Sequence, residues 1–310
     1  MNRFAKIAAS VAIAWSLPVD ANAPQVPELF APGVISTPAN DGSPTFTPDG
    51  NTLLFTRSTA TWSAILESHR VNGTWTQPAL ASFSGEWPDS SPGIAPDGSY
   101  AVFVSIRPKD GGDAHAAREA QLYRVDRTTA GWGKPVRLPP TVNIGPSIWK
   151  PSVGGDGTIY FVSIDTAGHK RLYSAARVAA GYAPAQPLSF SDGTLFDVDP
   201  EIAPDGSFLI FCSSGRLKGD PKDHLFIVHK TPSGAWGDVR PIRYAGDDAN
   251  GFSTDDEPHL GPDHRTIYFS SDRAAPVSFP RAHDQAVRDV ERLEQWDNSN
   301  SNVWTLKDVT

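Results

Sequence analysis

The sequence predicts an all-β protein, a five-bladed β-propeller of four-stranded antiparallel blades, and three observations carry that reading. A seven-residue phrase recurs five times: Pro44-Thr-Phe-Thr-Pro48-Asp49-Gly50, Pro92-Gly-Ile-Ala-Pro96-Asp97-Gly98, Pro151-Ser-Val-Gly-Gly155-Asp156-Gly157, Pro200-Glu-Ile-Ala-Pro204-Asp205-Gly206 and Pro258-His-Leu-Gly-Pro262-Asp263-His264. Each copy precedes a short β-rich run, at residues 53–56, 100–105, 159–163, 208–213 and 267–271, so each reads strand, tight turn, strand. The leading prolines stand 48, 59, 49 and 58 residues apart, room for about four strands each.

The elements follow in order. Arg3 and Lys6 precede an apolar stretch at residues 7–17, too short to span a bilayer as a helix, so residues 1–21 are expected to be a cleaved export signal. The mature chain, residues 24–310, then reads as one domain, since no Gly/Ser linker or break in composition interrupts it. In the first unit the strands fall at residues 45–47, 53–56 and 64–71, with a fourth after the Trp75 to Pro78 signal. That signal returns at Trp132 to Pro135, Tyr182 to Pro187 and Trp236 to Pro241, where the aromatic residues are expected to pack between neighbouring blades. The fifth unit has a third strand at residues 302–307 but neither the signal nor a fourth strand. Residues 28–36 stand before the first repeat as residues 80–84 stand before the second, so they are expected to supply the missing strand and close the ring. A six-bladed ring, the alternative, needs a blade without the motif.

The phrase Pro-x-(Phe/Ile)-x-Pro-Asp-Gly followed by an apolar strand ending in Phe-x-Ser, clearest at residues 44–56 and 200–213, resembles the WD40-like propeller repeats of TolB and many exported bacterial proteins. The resemblance covers essentially the mature chain and implies the fold, not a function. The N-terminal domain that TolB carries has no counterpart in residues 24–42, and the hydrolase domain that prolyl oligopeptidases add to similar blades is not seen. Two copies depart from the pattern: Gly155 replaces the turn proline and His264 the turn glycine.

Composition narrows the function. The formal net charge is −8, and removing Arg3, Lys6 and Asp20 makes it −9 with no basic cluster, which argues against nucleic acid and anionic membranes. No second apolar run of 18 residues occurs, so a soluble periplasmic or secreted protein is expected. The single cysteine, Cys212, lies in a strand and reads as core, excluding an intramolecular disulfide and a lipid anchor. No Gly-x-Ser-x-Gly, Walker, dinucleotide or His-Glu-x-x-His motif appears.

The Pro-Asp-Gly turns read as structural, proline fixing φ, Asp accepting local amides and Gly taking a positive φ. They mark one face. The opposite face collects the long insertions, residues 106–120 and 274–301, the latter with a predicted helix from His283 to Trp296. It also collects the residues that enter the innermost strands: Asp41, Asp89, Lys150, Asp199 and the run Asp255-Asp256-Glu257, with Asp247 and Asp248 upstream. The candidate ligand-binding set is Asp89, Lys150, Asp199, Asp256, Glu257 and His259. Clustered carboxylates there suit Ca²⁺ or another divalent cation, or acid and base chemistry on a sugar, or simply a solvated rim. His115, His169, His224 and His283 fall in loops on the same face, a pattern that would suit a transition metal if the loops met. The expected function is an exported, non-enzymatic binding or protein-interaction propeller with a protein or glycan ligand. The alternative is a glycan-active hydrolase or lyase using the channel carboxylates, with or without a metal.

Overall fold

The structure, a computed structural model, describes residues 25–108, 119–245, 253–273, 280–292, 294, 295, 298 and 300–308. The expected export signal, His115, Asp247, Asp248 and Trp296 lie outside them. Five antiparallel sheets form five four-stranded blades in a ring. The innermost strands are Asn40–Phe46, Asp89–Ile94, Ser147–Val153, Phe196–Ile202 and Asp255–Leu260. Each begins several residues before its leading proline, earlier than the sequence suggests. The helix runs His283–Arg292.

The last blade is closed by the N-terminal segment. Glu28 and Leu29 pair with Thr305 and Trp304, the Phe30 amide donates to the Val303 carbonyl at 2.9 Å, and Ser36 returns to bond Val303 through its hydroxyl. Of the expected strand 28–36 only Glu28–Leu29 is regular; Ala31 and Gly33 take positive φ and turn the chain back. The pairing covers the outer edge of Asn302–Leu306, the third strand of the last blade.

The core is divided among the blade interfaces. Five apolar clusters occur, one for each neighbouring pair, as where Leu54 and Ile65 of blade 1 meet Ile94 and Phe103 of blade 2. The recurrent aromatics sit in these seams as expected: Trp75 lies 6.0 Å from Phe46 and from Phe30, Trp132 5.7 Å from Phe83, and Trp236 of blade 4 6.5 Å from Tyr160 of blade 3. Tyr182 is buried with Tyr100 and Ala95.

The Pro-Asp-Gly turns behave as their chemistry dictates. Asp49, Asp97, Asp156, Asp205 and Asp263 each accept the amide two residues on at 2.9–3.0 Å, and the next position is left-handed every time, at φ 56° even for His264. The departure at Gly155 has a local cause. Its amide donates to the Pro204 carbonyl at 2.8 Å, which proline cannot do, and a Cβ would stand 2.5 Å from that oxygen.

Candidate functional site

Every innermost strand carries the same irregularity. Its pairing with the second strand shifts register between Gly42 and Thr45, Ser90 and Gly93, Trp149 and Ser152, Val198 and Glu201, and Asp256 and His259. A bulge inserts an extra residue and re-aims the side chains around it. The residue just before the proline is left-handed in all five blades: Ser43, Ser91, Lys150, Asp199 and Glu257 have φ between 39° and 55°. For a non-glycine residue this costs about 1–3 kcal/mol, so such positions persist only where the surroundings enforce them.

The bulge sorts the acidic residues into two sets. Three positions before the proline stand Asp41, Asp89, Asp197 and Asp255, all buried and all bonded to an arginine from the end of the second strand or the loop after it: Arg57 at 2.6 Å, Arg107 at 2.8 Å, Arg216 at 2.6 Å and Arg273 at 2.5 Å. Each guanidinium lies 5.2–5.7 Å from a core phenylalanine, Phe55, Phe103, Phe211 or Phe269. Blade 3 has Ile148 in the aspartate's place, packed in the apolar seam. Asp89, expected at the ligand face, therefore belongs to this repeated latch. Both of its oxygens accept from Arg107, and Ser84 donates to it at 2.9 Å. Burial pushes its pKa up, opposed by those bonds.

The second set lies at the channel mouth. There a cleft of about 400 Å³ is walled by residues of all five blades, among them Ser63, Ser91, Trp149, Phe196, Asp199, Asp223, Asp256 and Glu257. Asp199 Oδ2 accepts the Glu257 amide at 3.2 Å, and Glu257 Oε2 accepts from Ser270 at 2.7 Å. Gly42 makes room for that carboxylate, since a Cβ there would stand 2.6 Å from Glu257 Oε2. Burial, then the charge of Glu257, pushes Asp199 up to about 7, and the same causes carry Asp256 well above the usual carboxylate range. Burial also raises Asp223.

Lys150 is wholly buried and its Nζ has no hydrogen-bond partner. Burial lowers its pKa; Glu257, Glu201, Asp199 and Asp256 pull it back up, so the ammonium sits within the field of the carboxylates. One layer deeper, His259 Nδ1 lies 2.9 Å from Glu201 Oε1, which also accepts the Leu260 amide, while Ser152 donates to Oε2 at 2.7 Å. Burial alone would raise Glu201, but His259 and Lys150 outweigh it and hold the group below its ordinary value. Burial lowers His259 below its ordinary value, opposed by Glu201, to which its Nδ1 is turned. His259 thus lies beneath the mouth, near the Pro-Asp-Gly end, where it and Glu201 line a small cavity of about 60 Å³.

The structure brings Lys150, Asp199, Asp256 and Glu257 together, sets His259 one layer below and removes Asp89 to the latch. Of the loop histidines in the described residues, His169 pairs locally with Asp165 at 3.0 Å and His224 with Asp220 at 2.8 Å. Among the described residues no group of three or more His, Cys, Asp or Glu is placed to hold a metal ion. Sequence reasoning missed Trp149, Phe196 and Asp223. Two of the three carried a signal, because an aromatic residue at the bulge or strand start occurs in only these two blades.

No protein-family model matches the sequence, and a search of curated proteins finds no match. Solved structures with a similar fold include TolB from Acinetobacter baumannii, 15% identical with TM-score 0.46 over 87% of this chain and 55% of that one. Others are a thermostable family-43 glycoside hydrolase, 14% identical with TM-score 0.49 over 78% and 86%, and a puromycin hydrolase mutant, 16% identical with TM-score 0.41 over 84% and 38%. The chain spans about half the length of that TolB. Among the described residues no helix is long and apolar enough to cross a membrane. The chain is a five-bladed propeller, and its own sheets and five repeated phrases carry that conclusion.

Proposed function

We propose that this is an exported binding propeller that takes a small polar ligand at the channel mouth. The observation that carries the reading is the cleft of about 400 Å³ whose polar wall is built by strained bulges in the innermost strands. Its volume lies within the range of small-molecule sites. Strain held at five equivalent positions, with charged residues at three of them, fits a preorganised recognition surface better than a solvated rim. The carboxylates are acceptors, so the ligand is one rich in donors, and Trp149 and Phe196, each 36% exposed, offer flat apolar faces beside them.

A panel of simple sugars, amines and amino acids tests this, read by the indole resonance of Trp149, which is assigned from a Trp149→Phe variant. Ligands are expected to move that resonance and to lose about tenfold or more in affinity in an Asp199→Asn, Glu257→Gln double variant. Ligands that instead perturb only the Pro-Asp-Gly turns would show that recognition happens on the other face.

A second reading, glycoside chemistry, draws on one observation: burial and the charge of Glu257 raise two carboxyls that face the mouth, Asp199 and Asp256. A carboxylic acid whose pKa is raised towards neutrality is what the proton-donating step of such a reaction uses.

A further inference from the structure

A cation of the chain itself stands against two aromatic side chains of the cleft. The ammonium of Lys170, the residue that opens the third strand of blade 3, lies 4.1 Å from the ring centre of Phe196 and 5.5 Å from that of Trp149. Its charge also reaches Asp223, the acid beside those rings. Trp149 is fixed in place, its Nε1 donating to Ser147 Oγ at 2.9 Å, so its exposed face is presented rather than adaptable. Two aromatic faces and a carboxylate around one ammonium are the elements by which proteins recognise organic cations.

The rest of the lining agrees in sign. Asp199, Asp256 and Glu257 add three more acids. Lys150 does not use them up: its Nζ is buried in their field yet bonds to none of them. Its protons therefore call for an oxygen acceptor that a ligand brings, directly or through water. A bare metal ion answers neither demand, since it needs a close shell of oxygens and gains nothing from aromatic faces.

We propose that the channel mouth recognises an organic ammonium that carries an oxygen acceptor, and that Lys170 occupies the ammonium's place in this structure as a tethered stand-in. The proposal rests on the reading of the mouth as a ligand site and narrows it to one ligand class. A ligand ammonium displaces that of Lys170 from Phe196 and Trp149, approaches Asp223 and Asp256, and turns its oxygen inward towards Lys150.

Choline and its uncharged carbon isostere dimethylbutanol, which share a hydroxyl and differ only in charge, are the probes. Titration of the whole mature protein, followed by calorimetry and by the Trp149 indole resonance, is expected to show choline binding and the isostere at least tenfold weaker. Lys170→Ala, a half-buried surface change, is expected to tighten choline by about threefold, because a competing cation–π contact is gone. An Asp223→Asn, Asp256→Asn double variant is expected to weaken it about tenfold or more. Equal binding of choline and isostere overturns the proposal, and so does a Lys170→Ala variant that folds with an unchanged melting temperature and binds choline no more tightly. If choline fails while a neutral sugar moves the Trp149 resonance, the ammonium assignment falls and the binding mouth stands. If no ligand moves it, both fall.

Discussion

At the scale of single residues, aspartates at neighbouring positions of the repeat have opposite fates. Asp89 is latched by Arg107, whereas Asp199, two positions further along the repeat, has no arginine and sits against Glu257. Removing one partner of a buried pair strands the other charge, so Asp89→Ala is expected to cost about 3–5 kcal/mol in urea unfolding. Asp199 acts the other way. Its folded-state pKa of about 7 exceeds its ordinary 3.8, so between those values the folded protein holds a proton that the unfolded chain has lost. Stability must then fall as pH rises through that window, by about 1.4 kcal/mol for each unit of the shift. Urea titrations from pH 4 to 8 are expected to show a flatter profile for Asp199→Asn and higher stability than the parent at pH 8. Parallel profiles would contradict the burial of this carboxyl.

At the scale of elements, the repeated turns and apolar runs made the blades readable, because proline, aspartate and glycine each dictate local geometry regardless of partners. The bulge was not readable. It depends on pairing with the second strand, and nothing in Ser43-Pro44 or Lys150-Pro151 alone asks for a left-handed residue before proline. For that reason Asp89 and Asp199 looked equivalent when they are two steps out of phase. The latch did leave a trace: an arginine stands at the end of the second strand or just after it in the four blades that have the aspartate, and both are missing in blade 3, where Ile148 stands. Glycines beside the bulges give a test of how firmly each is enforced. A Cβ on Gly93 would stand 2.6 Å from the main-chain oxygen of Pro151 in the next blade, whereas one on Gly42 meets the movable ends of Glu257 and Ser270. Gly93→Ala is expected to destabilise by about 1–3 kcal/mol, and Gly42→Ala by clearly less while displacing the Glu257 carboxylate from Ser270. Thermal melts rank the two, and equal losses would mean that the blades yield to each other as easily as a side chain does.

At the scale of the whole molecule, each blade is held by the seams on either side, and the one seam not made by chain order is that between blades 5 and 1. Ile35 and Val303 are both fully buried there, with Phe46 and Phe55. Deleting residues 25–36 is expected to lower the melting temperature by about 10 °C or more, since it uncovers that seam and frees two strand edges. An unchanged melting temperature would show that the closure is dispensable.

The same closure sets a timetable. Ser36 and Val303 exchange two hydrogen bonds across 267 residues of chain, so the first segment made is the last to find its partner. Contacts this distant in sequence form slowly, because the loop entropy is lost before any bond is gained. Blades 1 to 4 can dock one after another as they emerge, but the ring has no route to completion until the final strand exists. In the interval the unpaired edge of Glu28–Leu29 and the apolar faces of Ile35 and Phe55 are open to other chains, which makes this the stage at which the protein is most exposed to aggregation.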